Sequence, residues 1–290
     1  MQISVKDLSY VYSEKSKSLA VHALDKVSLN IEEGSFLGII GHTGSGKSTF
    51  IQHLNGLIKL EKDKGIIKIG EFDLADKKCD FRLLRSKLGM VFQYPEYQLF
   101  AETVFEDVAF GIKNFMPETS PEQTEEMVKN ALETVGLNYY AIKDRSPFEL
   151  SGGQKRRVAI AGVIVTKPEI LVLDEPVAGL DPVGKKEFIA LLRSLHKSFV
   201  KTIIIVSHDL NLVAENCNKV AVFSQGKLVA TGTPKEIFSN LQKATELGLK
   251  LPVTAMLENE LKKVGVTVNS DLTEDGFTGA FIDAIKGGNG

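Results

Sequence analysis

The sequence predicts an α/β fold in which a largely parallel sheet carries an inserted α-helical lobe. Three short segments are almost continuously apolar and indicate buried strands, at residues 36–40, 170–173 and 202–206. Helical patterns lie between these segments, and strands that alternate with helices are typical of parallel sheets. Residues from about 95 to 166 carry several helical signals and few strand signals, so we assign the lobe to them.

The two ends of the chain predict smaller additions to this sheet. Residues 3–8 and 27–31 alternate polar and apolar side chains, which indicates half-exposed strands and an antiparallel β subdomain at the N-terminus. The texture changes near the end of the chain, where residues 243–263 are helix-like. We therefore expect a main domain at residues 1–238 and a small C-terminal helical appendage at 239–290.

Two helices of the main domain have clear start signals. Ser120, Pro121 and Gln123 form a capping box with proline at the first helical position, and Gly136 is placed to end this helix. A second helix should begin at Asp181, which proline follows. The first helix should pack with one face, because apolar residues recur at helical spacing: Met127, Ala131, Leu132 and Val135.

The composition excludes several classes of protein. With 290 residues and 43% hydrophobic content, the chain can bury one sizeable core. Its cysteines, Cys79 and Cys217, have no paired spacing and no histidine cluster nearby, so we expect reduced cytoplasmic thiols and no zinc site. The net charge of −2 gives no footprint for nucleic acid. The longest apolar run, residues 158–165, is far shorter than the roughly 18 residues of a spanning helix, so membrane association should require a protein partner.

The strongest motif is GHTGSGKS at residues 41–48, which follows an apolar strand and precedes a helical pattern. Its glycines let the backbone curl so that several N–H groups point toward one spot, at the positive end of the next helix. A bound polyphosphate would place its β- and γ-phosphates on Lys47 and a Mg²⁺ ion on the Ser48 hydroxyl. A merely glycine-rich turn is a poor alternative in this context. The predicted nucleotide-binding residues are Gly41, His42, Thr43, Gly44, Ser45, Gly46, Lys47, Ser48 and Thr49.

Two adjacent acids follow the buried strand at residues 170–173. Asp174 can hold the magnesium shell, and Glu175 can accept a proton from an attacking water, a task typically worth about 10² to 10⁴ in rate. Two acids at a strand end are ordinarily only a solvated edge. We prefer the catalytic interpretation because the carboxyl ends of parallel strands meet at the edge where the phosphate loop lies.

The segment LSGGQ at residues 150–154 resembles the signature pentapeptide of ATP-binding-cassette (ABC) ATPases, whose core is a P-loop NTPase sheet. The resemblance covers about residues 2–238. Further landmarks of the family occur in the expected order: Tyr12, Gln93, Asp181 in AGLDP and His208 in IVSHD.

The resemblance implies a role for each landmark. Tyr12, rather than Tyr10, would stack on adenine, and Asp181 would lie at the nucleotide. Gln93 would touch the magnesium ion and the attacking water, and His208 would reach the γ-phosphate and help to orient the catalytic acid. Taken singly, each of these residues also fits an ordinary structural role, such as a strand aromatic or a helix cap.

The resemblance also implies a pair of subunits. Ser151 lies far along the chain from Ser48, and in this family it completes the site of the opposite subunit together with Gly152, Gly153 and Gln154. ATP would be sandwiched between two chains that close head to tail. Loss of the γ-phosphate would remove contacts to the closed state, so the pair would reopen.

Four longer segments are similar to the second ATPase type of energy-coupling factor (ECF) transporters: GHTGSGKST, IQHLNGL, FQYPEYQLFAETV and SPFELSGGQ. This resemblance implies a vitamin or micronutrient importer in which the chain is a peripheral subunit at the cytoplasmic face of the cell membrane. The implied partners are a sister ABC ATPase in a heterodimer, a transmembrane coupling protein and a substrate-binding membrane protein. Val177 departs from the threonine expected at its position.

Other machines remain as alternatives. A cobalt, nickel or other ABC importer would share all of these motifs. A soluble ABC ATPase for DNA repair or translation is disfavoured, because the chain has one cassette and no long heptad arms. A catalytically dead subunit is disfavoured because Glu175 and His208 are both present.

An apolar cluster follows Gln93 and includes Phe100. It could simply pack the junction of the lobe. The sharper hypothesis is a groove that receives a helix of the membrane partner, because aromatic anchors suit helix-in-groove docking. The predicted docking residues are Tyr94, Pro95, Tyr97 and Leu99.

Overall fold

A computed structural model describes residues 1–13, 20–239 and 249–287. Its strands form two sheets. In chain order they are β1 (Ile3–Ser13), β2 (Ala20–Ile31), β3 (Phe36–Ile40), β4 (Ile66–Ile69), β5 (Phe72–Asp73), β6 (Leu88–Val91), β7 (Ile170–Asp174), β8 (Thr202–Val206), β9 (Lys219–Ser224) and β10 (Lys227–Gly232).

The larger sheet has six strands in the order β10-β9-β3-β8-β7-β6. Strands β9, β3, β8, β7 and β6 are parallel, and β10 runs antiparallel to β9 at the edge. The residues of β3 and β8 are all buried, as their continuous apolar sequence predicts. The parallel sheet and three of its predicted strands are therefore confirmed, with β7 one residue longer than predicted.

The smaller sheet has the order β2-β1-β4-β5 and is antiparallel. This confirms the N-terminal antiparallel subdomain, although β1 and β2 are longer than the predicted segments at residues 3–8 and 27–31. One apolar cluster fills the space between the two sheets and includes Phe50 and Ile51.

Helices cover the rest of the sheet and form the lobe. In chain order they are α1 (Lys47–Leu54), α2 (Phe81–Lys87), α3 (Val104–Phe115), α4 (Pro121–Thr134), α5 (Tyr139–Ile142), α6 (Gly152–Ile164), α7 (Pro182–Ser198), α8 (Leu210–Asn216), α9 (Pro234–Phe238), α10 (Val253–Lys263) and α11 (Glu274–Gly287); single 3₁₀ turns span Pro95–Gln98 and Pro147–Glu149. Helices α3 to α6 fall within residues 95–166, which hold no strand, so the inserted lobe is confirmed.

The predicted start of α4 is present in detail. Ser120 accepts from the Gln123 N–H while the Gln123 side chain accepts from the Ser120 N–H, which completes the capping box. Gly136 has a φ of 77°, as expected of the residue that ends a helix. The buried face of α4 contains Val128, Ala131 and Leu132, and Met127 is only partly buried.

The C-terminal segment packs on α8. The Val253 N–H donates to Asn211 Oδ1 at 2.8 Å, and the Glu274 N–H donates to Glu215 Oε1 at 3.1 Å. Ala255 and Leu272 are each 1% exposed and belong to the main core cluster. The predicted helix at 243–263 is present from Val253 onward, and residues 243–248 lie outside the described part of the chain. The boundary at residue 239 stays a prediction.

The described residues include no helix that is both long and apolar enough to span a bilayer.

Candidate functional site

The phosphate loop connects the end of β3 to the start of α1, at the carboxyl edge of the parallel sheet. Gly41, Gly44 and Gly46 have φ values of 146°, 79° and 101°, a region that other residues rarely adopt. A Cβ on Gly41 would collide with the Phe223 carbonyl oxygen, and one on Gly46 would collide with the Ala23 carbonyl oxygen. The loop therefore needs glycine at both positions.

Lys47 points back into this loop and is only 8% exposed. Its Nζ donates to the Gly41 and His42 carbonyl oxygens, each at 2.8 Å. Burial lowers the pKa of Lys47, and the carboxylates of Glu175 and Asp174 act against that shift. The ammonium is thus held at the centre of a curled backbone, in the position that a polyphosphate requires.

Asp174 ends β7, directly beside Val206 at the end of β8. Burial raises the pKa of its carboxyl group, while a hydrogen bond from Ser48 and the charge of Lys47 lower it. The Ser48 hydroxyl and the Asp174 carboxylate therefore share one small region next to the phosphate loop. Hydroxyl and carboxylate oxygens are the ligands that Mg²⁺ prefers.

Glu175 has an unusual backbone conformation for a residue other than glycine, with a φ of 48°. Its N–H donates to the Val206 carbonyl at 2.9 Å, which fixes the turn against β8. The imidazole Nδ1 of His208 lies 2.8 Å from Glu175 Oε2. His208 itself is 76% exposed, so its ring can turn toward a ligand while the glutamate stays in place.

One cleft of about 520 Å³ brings together most of the residues predicted to bind nucleotide or magnesium or to act in catalysis; Gly41, His42 and Ser45 do not line it. Val21, Ala23 and Val206 also line it and were missed, because nothing in an apolar strand residue marks it as facing a ligand. The predicted residues that line the cleft are Tyr12, Thr43, Gly44, Gly46, Lys47, Ser48, Thr49, Gln93, Asp174, Glu175 and His208.

Tyr12 and Tyr10 differ in their surroundings. Tyr12 is 44% exposed and its hydroxyl lies 3.4 Å from Thr49 Oγ1, at the rim of the cleft. Tyr10 instead packs edge-on against the buried His53, with ring centroids 4.9 Å apart. An exposed ring beside the phosphate loop is the better platform for a base, which favours Tyr12.

The signature residues do not line this cleft. Ser151 caps α6 and exchanges capping-box hydrogen bonds with Gln154, at 3.3 Å and 3.1 Å. Gly152 and Gly153 are exposed, and a Cβ on either would meet no atom within 4 Å. Asp181 is likewise outside the cleft and caps α7 through a 2.7 Å bond from the Gly184 N–H. Within the described part of the chain, residues 151–153 at the amino end of α6 are exposed.

A second groove, of about 450 Å³, lies between the sheet domain and the lobe. Among the predicted docking residues only Leu99 lines it. Tyr94, Pro95 and Tyr97 do not, and Tyr97 is 83% exposed outside the groove. The apolar residues that line the groove beside Leu99 include Leu57, Phe92, Phe100, Phe110 and Phe115.

The described residues hold no cluster of three or more His, Cys, Asp or Glu side chains that could bind a metal unaided. A divalent ion at Ser48 and Asp174 would therefore need oxygen ligands from a nucleotide. This fits Mg²⁺, which keeps few protein ligands and shares phosphate oxygens with its substrate.

Comparisons with known proteins agree with this geometry. Residues 24–178 match the protein family described as "ABC transporter". The chain is 46% identical over 272 residues to the "Energy-coupling factor transporter ATP-binding protein EcfA2" of Caldanaerobacter subterraneus subsp. tengcongensis, covering 94% of this chain and 93% of that protein. It is 47% identical over 273 residues to the protein of the same name from Clostridioides difficile, with the same coverage.

A solved structure is also similar. CbiO1 from Clostridium perfringens, described as part of the ABC transporter complex cbiONQ, has a TM-score of 0.71 and 37% sequence identity. The match covers 89% of this chain and 98% of that one.

Proposed function

Because the chain belongs to the ATP-binding proteins of energy-coupling factor transporters, within the ABC transporter family, we propose that its ATP is held between its own phosphate loop and the signature motif of a sister subunit. The chain is an ATPase whose hydrolysis is coupled to transport. The observation that carries the proposal is that the cleft contains the phosphate, acid and histidine residues but not residues 151–154. Those residues are free to serve another chain.

The nucleotide binds with its phosphates in the curl of the loop at residues 41–48. Lys47 then exchanges its carbonyl contacts with Gly41 and His42 for the β- and γ-phosphates. The loop amides and the start of α1 add further N–H groups and positive potential. The exposed ring of Tyr12 stacks on the base.

Ser48, Gln93 and Asp174 are the residues that would hold Mg²⁺, which when bound neutralises charge on the β- and γ-phosphate oxygens. Burial favours the neutral form of the Asp174 carboxyl group. A bound cation would favour its charged form, and the carboxylate could then serve as a metal ligand. Gln93 is the second residue after β6 and brings a neutral amide to the same edge.

Glu175 is the proposed general base for the attacking water. His208 Nδ1 holds Glu175 Oε2 at 2.8 Å, so Oε1 is the oxygen that takes the proton. Phosphoryl transfer needs positioning and charge stabilisation more than covalent chemistry, and the fixed turn at Glu175 supplies the positioning. His208 would contact both the γ-phosphate and Glu175, so that a bound γ-phosphate helps to orient the general base.

The partners follow from the same premise. We infer a heterodimer with a sister ABC ATPase, joined to a transmembrane coupling protein and to substrate-binding membrane proteins that select a vitamin or other micronutrient. The chain would lie at the cytoplasmic face of the membrane. The higher identity to the energy-coupling factor proteins than to CbiO1 favours this importer over one in a cbiONQ complex.

The second groove is the proposed seat for a helix of the coupling protein. Its floor is apolar, and its two exposed rings, Phe100 and Phe110, meet edge-on at 4.8 Å. Leu99 is 7% exposed and belongs to the core, so it supports the groove more than it contacts a partner. Phe92 lines the groove and its neighbour Gln93 lines the nucleotide cleft, so the two sites are adjacent along the chain.

Replacing the general base tests the proposed function. Glu175→Gln should keep ATP binding but lower the hydrolysis rate by about 10² or more, and it should trap a closed ATP-bound pair. Lys47→Ala should instead weaken ATP binding itself. Equilibrium binding of MgATP, steady-state hydrolysis and gel filtration with ATP measure the three effects. Hydrolysis at the wild-type rate in Glu175→Gln would remove the assigned base.

A further inference from the structure

One buried cation of the helical lobe is not part of the nucleotide cleft. Arg156 lies in the second turn of α6 and is 5% exposed, whereas residues 151–153 at the start of the same helix are exposed. Arginine is rarely buried unless its charge and its hydrogen bonds are satisfied. Its partners therefore indicate what the side chain does.

The guanidinium joins two turns that flank the cleft. Its Nε donates to Glu96 Oε2 at 3.1 Å, and its Nη2 donates to the Ala178 carbonyl oxygen at 3.1 Å. Glu96 lies in the 3₁₀ turn that begins directly after Gln93 and Tyr94. Ala178 closes the turn that starts at Glu175, because its N–H donates to the Glu175 carbonyl at 3.1 Å.

The two turns also lie close together. Tyr94 has a left-handed φ of 53°, which is uncommon for a tyrosine. A Cβ on Gly179 would lie 3.5 Å from the Tyr94 ring. A planar arginine with fixed donor directions holds such a junction more rigidly than a flexible lysine could. Movement of either turn should therefore displace α6 through Arg156.

We propose that Arg156 is a positioning residue that sets the orientation of α6, and so of the Ser151 cap, according to the positions of the turns after Gln93 and Glu175. The inference rests on the proposed two-chain site, in which Ser151 serves the nucleotide of the sister subunit. Arg156 does not line the nucleotide cleft. It links the cleft of its own chain to the motif that this chain offers to its partner.

The next residue provides a matched control. Arg157 also donates to one carboxylate and one backbone carbonyl, Glu187 Oε2 and the Val135 oxygen, both at 2.7 Å. Its partners lie on α7 and at the end of α4, away from both turns, and its side chain is 37% exposed. Arg157→Lys therefore makes the same chemical change on the same helix without touching the junction.

The test compares Arg156→Lys, Glu96→Gln and Arg157→Lys in the transporter complex isolated with its membrane proteins. Both junction variants should lower kcat for ATP hydrolysis by about tenfold or more, because small misplacements of reacting groups cost rate steeply. MgATP affinity should stay within about twofold, since the phosphate loop is untouched. The double variant should lose little more than either single variant, as expected of residues that act as one unit. Arg157→Lys should keep kcat within about twofold.

Thermal melting separates positioning from simple destabilisation. The loss of kcat should persist at temperatures well below the melting point of each variant, where the folded fraction is complete. A wild-type kcat in Arg156→Lys and Glu96→Gln, or an equal loss in Arg157→Lys, would overturn the inference. If Glu175→Gln abolishes hydrolysis while the junction variants behave as wild type, the inference fails alone. If Glu175→Gln hydrolyses ATP at the wild-type rate, the proposed function itself is contradicted, whatever the junction variants do.

Discussion

At the scale of single residues, the site is built from charges placed where the fold disfavours them. Burial raises the pKa of the Asp174 carboxyl group and lowers the pKa of the Lys47 ammonium, although the two groups partly compensate each other. Such opposed shifts are typical of groups selected for binding rather than for stability. Removing one of these charges should therefore increase the stability of the fold and decrease ATP hydrolysis.

Asp174→Asn should raise the melting temperature of the nucleotide-free protein at pH 7. The folded pKa of Asp174 lies above its ordinary 3.8, so the stability that this group contributes is fully present below the unfolded pKa and is lost as pH rises through the folded pKa. Removing the charge should therefore stabilise the fold at neutral pH, by an amount that partial exposure of the group keeps small. Hydrolysis should fall by about 10² or more.

Melting curves at pH 7 and pH 4, together with hydrolysis rates, check this prediction. The gain should shrink as the pH falls toward 4, because the raised pKa lets the wild-type carboxyl group take up its proton earlier in the folded state than in the unfolded state. Glu102→Gln, at an exposed carboxylate outside the cleft, is the control and should change neither quantity. A lower melting temperature for Asp174→Asn at pH 7 would contradict the argument.

At the scale of elements, α4 and α6 begin with the same type of capping box but differ in what their N-termini face. Ser120 on α4 and Ser151 on α6 both form complete capping boxes with a glutamine. Ser120→Ala and Ser151→Ala should each cost about 1 kcal/mol of stability. Only Ser151→Ala should also lower ATP hydrolysis, by about tenfold or more, because its hydroxyl and the N–H groups beside it serve a second chain's phosphates.

Paired melting and hydrolysis measurements on the two variants check this. The common loss of stability provides the internal control, since it removes destabilisation as the cause of any difference in rate. Equal hydrolysis rates in Ser120→Ala and Ser151→Ala would show that the start of α6 acts only as a cap.

The accuracy of the predicted elements depended on how regular their sequence is. The bounds of β3 and β8 were predicted correctly because every residue in them is buried and only Thr202, at the start of β8, is polar. β1 was underestimated because its register to β2 shifts at three places, between Val5 and Leu8, Leu8 and Tyr10, and Tyr10 and Val11. Such bulges break the two-residue alternation that marks a strand in sequence.

At the scale of the whole molecule, the proposed docking groove is formed by segments that lie far apart in the sequence. The prediction used one continuous segment and named Tyr94, Pro95 and Tyr97, which do not line the groove. Leu57, Phe92 and Phe110 do, and they come from three separated parts of the chain that only the tertiary fold brings together. A local motif such as the phosphate loop can be recognised in the sequence, whereas the lining of this groove cannot, and the docking role of Tyr94, Pro95, Tyr97 and Leu99 stays a prediction.

Phe100→Gln should reduce transport while leaving MgATP binding unchanged. Phe100 is 59% exposed in the groove, and removing an aromatic anchor from an interface often costs about 2 kcal/mol or more, which is roughly thirtyfold in affinity. The measurements are substrate uptake into vesicles that contain the full complex and the amount of coupling protein retained on purification.

Tyr140→Gln is the matched control, because Tyr140 is also an exposed aromatic residue of the lobe, 71% exposed on α5, and does not line the groove. It should leave uptake and retention as in the wild type. Unchanged uptake with Phe100→Gln would discredit the groove as the seat of the membrane partner.

The strand order also governs when the nucleotide site can first exist during synthesis. β3 carries the phosphate loop but lies between β8 and β9, and the acids arrive on β7, so no amino-terminal fragment that stops before residue 206 can assemble the cleft. A growing polypeptide on the ribosome should therefore ignore ATP until more than two-thirds of it has been made. From that moment cellular ATP favours the finished domain, by about 2.7 kcal/mol when its concentration is 100 times the dissociation constant.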